Sequence, residues 1–244
     1  MSHTWNLSRR ELAVKTVGII GGIGPESTAE YYRLILAGYR QRRPDGSSAR
    51  IIINSLDLKA MLDLIIGKQV AALTDFLAGE VQKLAAARAD FGLLASNTPH
   101  IVFNELRSRS TIPLLSIVEA TCAAAKAQGM RKLGLFGARF TMMGGFYPEV
   151  FSREGMTIVT PQPTEQDYIH EKYMGELVNG IIKPETRDGL LAIVDRMKKQ
   201  EKIEAVILGG TELTLILPPD SPASVPLLDT ARIHAQAAVD WMFS

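Results

Sequence analysis

The sequence predicts an α/β protein built as two pseudo-symmetric lobes, each a parallel sheet covered by helices, with a ligand cleft between them. Three observations lead there. From Thr16 onward, short β-branched runs alternate with longer stretches of helical period, the pattern of successive strand–helix–strand units. Most of the strand candidates are continuous apolar runs, as expected where helices cover both faces of a sheet. The two halves also open alike: GIIGGIGPESTAEYY begins one and GLFGARFTMMGGFY the other, each a strand, a glycine turn and a helix.

In chain order, strands are expected at residues 16–20, 49–54, 91–95, 114–116, 132–136, 157–160 and 205–208. Helices are expected at 26–42, 58–87, 101–108, 118–128, 141–153, 166–179, 183–199 and 227–243. The stretch 58–87 is long for one helix, and Gly67 or Thr74 is the expected break. Each half contains a later strand that ends in a small polar loop, LLASNTPH in the first and VILGGTEL in the second, and the parallel points to duplication. Residues 1–14 read as an N-terminal extension, because they lack an apolar segment followed by a small-residue cleavage site. Residues 15–117 with 213–244 are assigned to the first lobe and 118–212 to the second, each near the usual domain size. Ligands of open parallel sheets bind where the C-terminal ends of strands converge, so the interlobe cleft is the expected active site.

Composition narrows the partners. Of 244 residues, 46% are hydrophobic and 22% charged, which excludes a disordered chain. The 27 Lys and Arg against 26 Asp and Glu give no field that would draw nucleic acid or an anionic membrane, so a small molecule is the expected partner. A single cysteine and no Cys or His pair at zinc-ligand spacing point to a reducing compartment and to no structural metal. No apolar run reaches the roughly 20 residues a membrane helix needs. The expected location is the cytoplasm.

Several loops carry candidate chemistry. Gly21-Gly22-Ile23-Gly24-Pro25 joins a strand to a helix, so its N–H groups could hold an anion, with Ser27 and Thr28 adding hydroxyls. It lacks the dinucleotide spacing, and a carboxylate suits it better than a pyrophosphate; a tight turn is the alternative. Ser96-Asn97-Thr98 and Gly210-Thr211-Glu212 both follow buried strands, and Asn54-Ser55 and Thr141 share that topological position. Helix capping is the competing role for these residues. His100 lacks a triad context and reads as helix-start packing. His170 reads as a helix-face residue with ligand contact the alternative, Cys122 as a buried structural thiol, and Met142-Met143 as helix packing. Arg40, Arg42 and Arg43 suit the C-terminal end of a helix.

GIIGGIGPEST, LLASNTPH, the GARFTMMGGFYPEVF segment, the acidic helix QDYIHEKYMGELVNG and LGGTELTLIL occur in that order. With these motifs the sequence resembles the aspartate/glutamate racemase family, the cofactor-independent amino-acid racemases, from Lys15 to the C-terminus. The resemblance implies two flavodoxin-like lobes, an amino acid or dicarboxylate bound between them, no cofactor and a homodimer. It also implies two thiols that flank the substrate α-carbon, one removing a proton and the other supplying one to the opposite face. Here those positions hold Ser96 and Gly210. The resemblance assigns substrate contacts to Gly22, Ile23, Gly24, Asn54, Asn97, Thr98, Thr141 and Thr211, with Glu212 for the amino group or for orienting a neighbour. For a side-chain carboxylate the nearest cations are Lys59 and Lys172, since the acidic helix ends in LVNG without one.

A hydroxyl is a far weaker acid than a thiol, and glycine offers no group at all. General acid–base participation is worth about 10²–10⁴-fold per group, so the expected function is an amino-acid racemase with impaired or altered proton transfer. The alternatives are a non-catalytic amino-acid or dicarboxylate binding protein on the same scaffold, and a related decarboxylase or isomerase.

Overall fold

The computed structural model describes residues 14–218 and 220–244, so all but Val14 of the expected N-terminal extension lies outside the described residues. The first half contains β1 (Val17–Gly21), α1 (Pro25–Arg42), β2 (Ile51–Ser55), α2 (Leu58–Ile66), α3 (Val70–Ala86), β3 (Phe91–Leu94), α4 (Phe103–Arg109), β4 (Leu114–Leu115) and α5 (Ile117–Ala127). The second contains β5 (Lys132–Phe136), α6 (Arg139–Met143), α7 (Phe146–Arg153), β6 (Thr157–Val159), α8 (Pro163–Gly175), α9 (Pro184–Gln200), β7 (Ala205–Leu208), α10 (Leu213–Ile216), β8 (Leu227–Asp229) and α11 (Thr230–Met242).

All strand pairs are parallel, and the two sheets have the same topology, β2-β1-β3-β4 and β6-β5-β7-β8. The central strands are closed to solvent on both faces: β1, β3 and β7 are buried throughout. This is the two-lobed α/β architecture that the alternation of runs predicts, and the repeated strand order is what the likeness of the two halves leads one to expect.

One local expectation is narrowed and three change. The stretch 58–87 breaks at Gly67–Gln69, where Lys68 takes a positive φ of 53°, whereas Thr74 stays helical with its Oγ1 donating to the Val70 carbonyl at 2.9 Å. The expected helix 141–153 is two helices, because Gly145 adopts φ 76°, a left-handed conformation that ends α6 and starts α7. The expected helix 227–243 begins only at Thr230: Leu227–Asp229 pairs with β7 as the edge of the second sheet, and the Asp229 carboxylate accepts from Arg232 N to cap α11. The acidic helix starts three residues early, at Pro163, behind a reciprocal cap between Gln162 and Glu165, and a short 3₁₀ turn at Leu177–Asn179 follows it.

The helix after each sheet's last strand crosses to the other lobe. Ile117, Val118, Cys122 and Ala125 of α5 pack with Leu133, Leu135 and Ile207 of the second sheet. Reciprocally, Ala231, Ala235, Ala238 and Val239 of α11 pack with Val17, Ile19 and Phe91 of the first. Buried hydrogen bonds seal the exchange. The Tyr147 hydroxyl on α7 donates to Asn97 Oδ1 at 2.6 Å, Asn97 Nδ2 donates to Thr230 Oγ1 at 3.2 Å, and Thr230 Oγ1 donates to the Leu208 carbonyl at 2.8 Å. On the other face, His234 Nε2 donates to the Leu115 carbonyl at 3.2 Å, which leaves Nδ1 to accept from Tyr31 at 2.8 Å. Among the described residues no helix is long and apolar enough to cross a membrane.

His234 and His100 are both fully enclosed. Burial pushes each imidazole down to about 3, the neighbouring His234 adding to the effect on His100. An unfolded histidine titrates near 6.5, so between those values the unfolded chain binds more protons than the folded one. Stability is therefore complete above about pH 6.5 and falls as the solution is acidified. At pH 5 the expected loss is on the order of 2 kcal/mol per histidine. Urea unfolding at pH 7.5 and pH 5 checks this, and a His234→Gln variant should show a visibly smaller drop; equal stability at the two pH values would contradict it.

Candidate functional site

The C-terminal ends of the central strands from both sheets open into one cavity of about 520 Å³. That volume lies within the usual range of small-molecule pockets, about 300–1,000 Å³. Ile23 and Gly24 follow β1, Ser96 and Thr98 follow β3, Ala138, Arg139 and Phe140 follow β5, and Glu212 follows β7. The remaining walls are helical: Leu58, Met61, Leu62 and Ile66 from α2, and His170, Tyr173 and Met174 from α8 with Val178 beyond it.

Glycine at 24 brings the first loop against the second lobe. Its φ is 95°, and a Cβ there would stand 2.7 Å from Glu212 Oε1. The carboxylate of Glu212 is buried and already well supplied with donors. Ser27 Oγ lies 3.1 Å from Oε1 and 2.5 Å from Thr211 Oγ1, Thr211 Oγ1 donates to Oε2 at 3.0 Å, and the Tyr173 hydroxyl donates to the same oxygen. This network joins α1, α8 and the loop after β7 across the lobes. Glu212 also borders a second cavity of about 450 Å³. Its arginines, Arg33 and Arg232, are ion-paired to Glu30 and Asp229 at 3.4 and 3.7 Å, and the strand-end loops carrying Ser96 open into the first cavity instead.

Ser96 stands on the cavity wall. Gly210 is covered: a Cβ built on it would meet Tyr173 Cε2 at 2.5 Å, Cζ at 2.9 Å and the hydroxyl at 3.0 Å. The ring of Tyr173 thus occupies the volume that a side chain at 210 would need. Burial and the charge of Glu212 push the Tyr173 phenol well above its ordinary value, so it keeps its proton at neutral pH.

The other expected residues divide by what they touch. Thr98 lines the cavity, and its hydroxyl is 3.3 Å from that of buried Thr141. The Gly22 N–H is taken by Thr28 Oγ1 at 2.9 Å. Asn97 is tied into the interlobe hydrogen bonds described above, and Asn54 Nδ2 donates to Glu80 Oε2 on α3 at 2.7 Å. Lys59 is exposed and pairs with Asp63 at 2.6 Å, while Lys172 pairs with Glu176 at 3.1 Å; neither ammonium is on the cavity wall. His100 accepts from Ile117 N and stacks on Phe103, and Cys122 is enclosed within the second lobe's core, where burial pushes its thiol up. His170 does reach the cavity; its Nδ1 accepts from Arg139 N at 3.3 Å, and desolvation lowers its pKa. Among the described residues no group of three or more His, Cys, Asp or Glu side chains is arranged to hold a metal ion.

Sequence reasoning did not single out Tyr173, Arg139 or the apolar face of α2. Leu58, Leu62 and Ile66 recur at four-residue spacing with Met61 between them, a signal of a helix face that does not say what the face covers.

A two-lobed α/β scaffold with a cavity of small-molecule size at the strand ends of both lobes is the class that fold and site define. Residues 20–238 match the model of the Asp/Glu/hydantoin racemase family, and the chain belongs to that family. It is similar to the crystal structure of a Yersinia pestis protein assigned as an Asp/Glu racemase, with 32% identity, a TM-score of 0.87 and coverage of 94% of this chain and 100% of that one. It is also similar to an aspartate racemase homologue from Pyrococcus horikoshii, at 29% identity and a TM-score of 0.82 over 94% of this chain and 100% of that one. The broad specificity amino-acid racemase RacX of Bacillus subtilis is 23% identical over 91% of this chain and 96% of its own length.

Because Tyr173 fills the space over Gly210, the two positions are energetically coupled. Gly210→Ala is expected to lower stability by about 1–3 kcal/mol, as overpacking usually does. In a Tyr173→Ala background the same change should cost much less, and a four-variant urea unfolding cycle measures the difference.

Proposed function

We propose that this protein binds a small amino acid in the interlobe cavity, without a cofactor, and that two-thiol proton transfer at the substrate α-carbon is lost or strongly impaired in it. The observation that carries the reading is the pair of positions Ser96 and Gly210. The family mechanism needs an ionisable group on each face of the α-carbon. Ser96 offers only a hydroxyl, with no base hydrogen-bonded to it among the described residues, and the face at Gly210 carries Tyr173, a phenol that keeps its proton at neutral pH. Thr98, the backbone of Ile23 and Gly24, and Glu212, all on the cavity wall, are the proposed ligand-binding groups, with Thr141 behind Thr98, Thr211 beside Glu212 and the bonded Gly22 N–H shaping the loop. Asn54 and Asn97 are proposed to act one step back, by holding the loops that carry them.

The racemase names of the relatives support an amino acid as the ligand. Retained racemisation through other groups is the second reading, favoured by the fact that Ser96 still faces the cavity. Decarboxylation or isomerisation of a diacid has no specific support, since neither Lys59 nor Lys172 meets the cavity.

The deciding experiment follows the α-proton by NMR in D₂O, with L- and D-aspartate, glutamate and several neutral amino acids. The protein is compared with a Ser96→Cys/Gly210→Cys/Tyr173→Ala variant, in which removal of the ring makes room for the second thiol. Exchange by the unaltered protein is expected to be at least about 10²-fold slower than by the variant, the lower end of what one acid–base group contributes. Exchange at an equal rate would refute the loss of proton transfer and return the protein to the racemases.

A further inference from the structure

We propose that the interlobe cavity selects a zwitterionic amino acid with a neutral, apolar side chain and discriminates against dicarboxylic amino acids. The inference rests on the reading of this cavity as an amino-acid site and goes beyond it to the ligand's side chain.

The charge inventory of the wall is short. Among the described residues that line the cavity, one carries a fixed positive charge, Arg139, and one a carboxylate, Glu212. Desolvation lowers the pKa of His170, which favours its neutral form. One cation and one anion match the α-carboxylate and α-ammonium of a single zwitterion. Arg139 is itself shared with Asp167 at 2.8 Å, so it has little surplus for a second carboxylate. Lys59 and Lys172, the other cations near this part of the chain, are paired with Asp63 and Glu176 and do not reach the wall.

The rest of the wall is carbon. The α2 face formed by Leu58, Met61, Leu62 and Ile66 meets Phe140 and Met174 to make an apolar lining. Ile66 is 65% exposed and Met174 40% exposed, so part of this carbon surface is open to an entering side chain. A carboxylate carried into such a lining loses its water and gains no partner, whereas an aliphatic or aromatic side chain buries apolar area there. Leu62 sits in the middle of the face, partly buried and packed against the core, so it governs what the lining accepts.

Isothermal titration of the full chain with the L and D forms of leucine, methionine, phenylalanine, aspartate and glutamate tests this. An apolar amino acid is expected to bind at least 10-fold more tightly than either dicarboxylate. Leu62→Lys, checked for folding by circular dichroism, should reverse that order by placing a cation in the carbon wall. Aspartate or glutamate binding to the unaltered protein as tightly as the apolar ligands would overturn the selectivity and leave the amino-acid site standing. Absence of binding by all five would overturn the site as well.

Discussion

The reciprocal exchange of α5 and α11 is the constraint from which the rest of the structure follows. Neither sheet completes its own core: the helix after β4 covers the second sheet, and the helix after β8 covers the first. The lobes cannot drift apart without pulling a helix out of a core. The buried hydrogen bonds add direction to that constraint. Asn97, one residue after Ser96, is held by Tyr147 from the second lobe and by Thr230 at the start of α11, and Thr230 holds the Leu208 carbonyl two residues before Gly210. The bonds that lock the lobes therefore also set the spacing of the two loops that border the cavity, those of Ser96 and Glu212. Removing one partner leaves a buried polar group unsatisfied, a cost of about 1–3 kcal/mol, so the spacing is strongly specified.

The cleft is rich in polar side chains, yet the protein itself uses most of them. Asn97 and Asn54 are engaged with Thr230, Tyr147 and Glu80, the Gly22 N–H with Thr28, and Glu212 with three hydroxyl-bearing residues. Such pre-bonding fixes the geometry before a ligand arrives and lowers the ordering cost of binding. It also leaves few unbonded polar groups on the wall, which is why the proposed selectivity rests on the charge inventory of the wall and not on the number of polar residues near it.

The α/β class, the parallel sheets and the duplication were legible because the strands are unbroken apolar runs and the glycine turns recur in both halves. Boundaries failed where one or two residues decide. A three-residue strand, Leu227–Asp229, carries too little pattern to separate from the helix that follows it, and Gly144-Gly145 splits a helix by a backbone conformation that composition only hints at. The strand-end loops were also legible as parts that converge, and several of them line the cavity. What each side chain does there was not, because a partner such as Glu80 or Tyr147 lies 26 or 50 residues away in the chain. Lys59 and Lys172 were chosen by their nearness in sequence to the cleft, but on a helix the direction of a side chain, not its distance along the chain, sets its partner.

Gly210 and Tyr173 make one structural unit. No Cβ at 210 fits under the ring, and with the ring in place the face has no ionisable thiol and no room for one. The same ring does something for binding. Its hydroxyl donates to Glu212, alongside Ser27 and Thr211, and so fixes a buried carboxylate at the edge of the cavity. A carboxylate held by three donors remains available, as a charge of fixed position, to an ammonium group approaching from the open side. On the proposed reading, the missing proton-transfer group and the rigid anionic contact are consequences of a single packing arrangement, the Tyr173 ring over Gly210 with its hydroxyl on Glu212. In a site built that way, the proposed affinity for an amino acid is separable from the ability to turn it over.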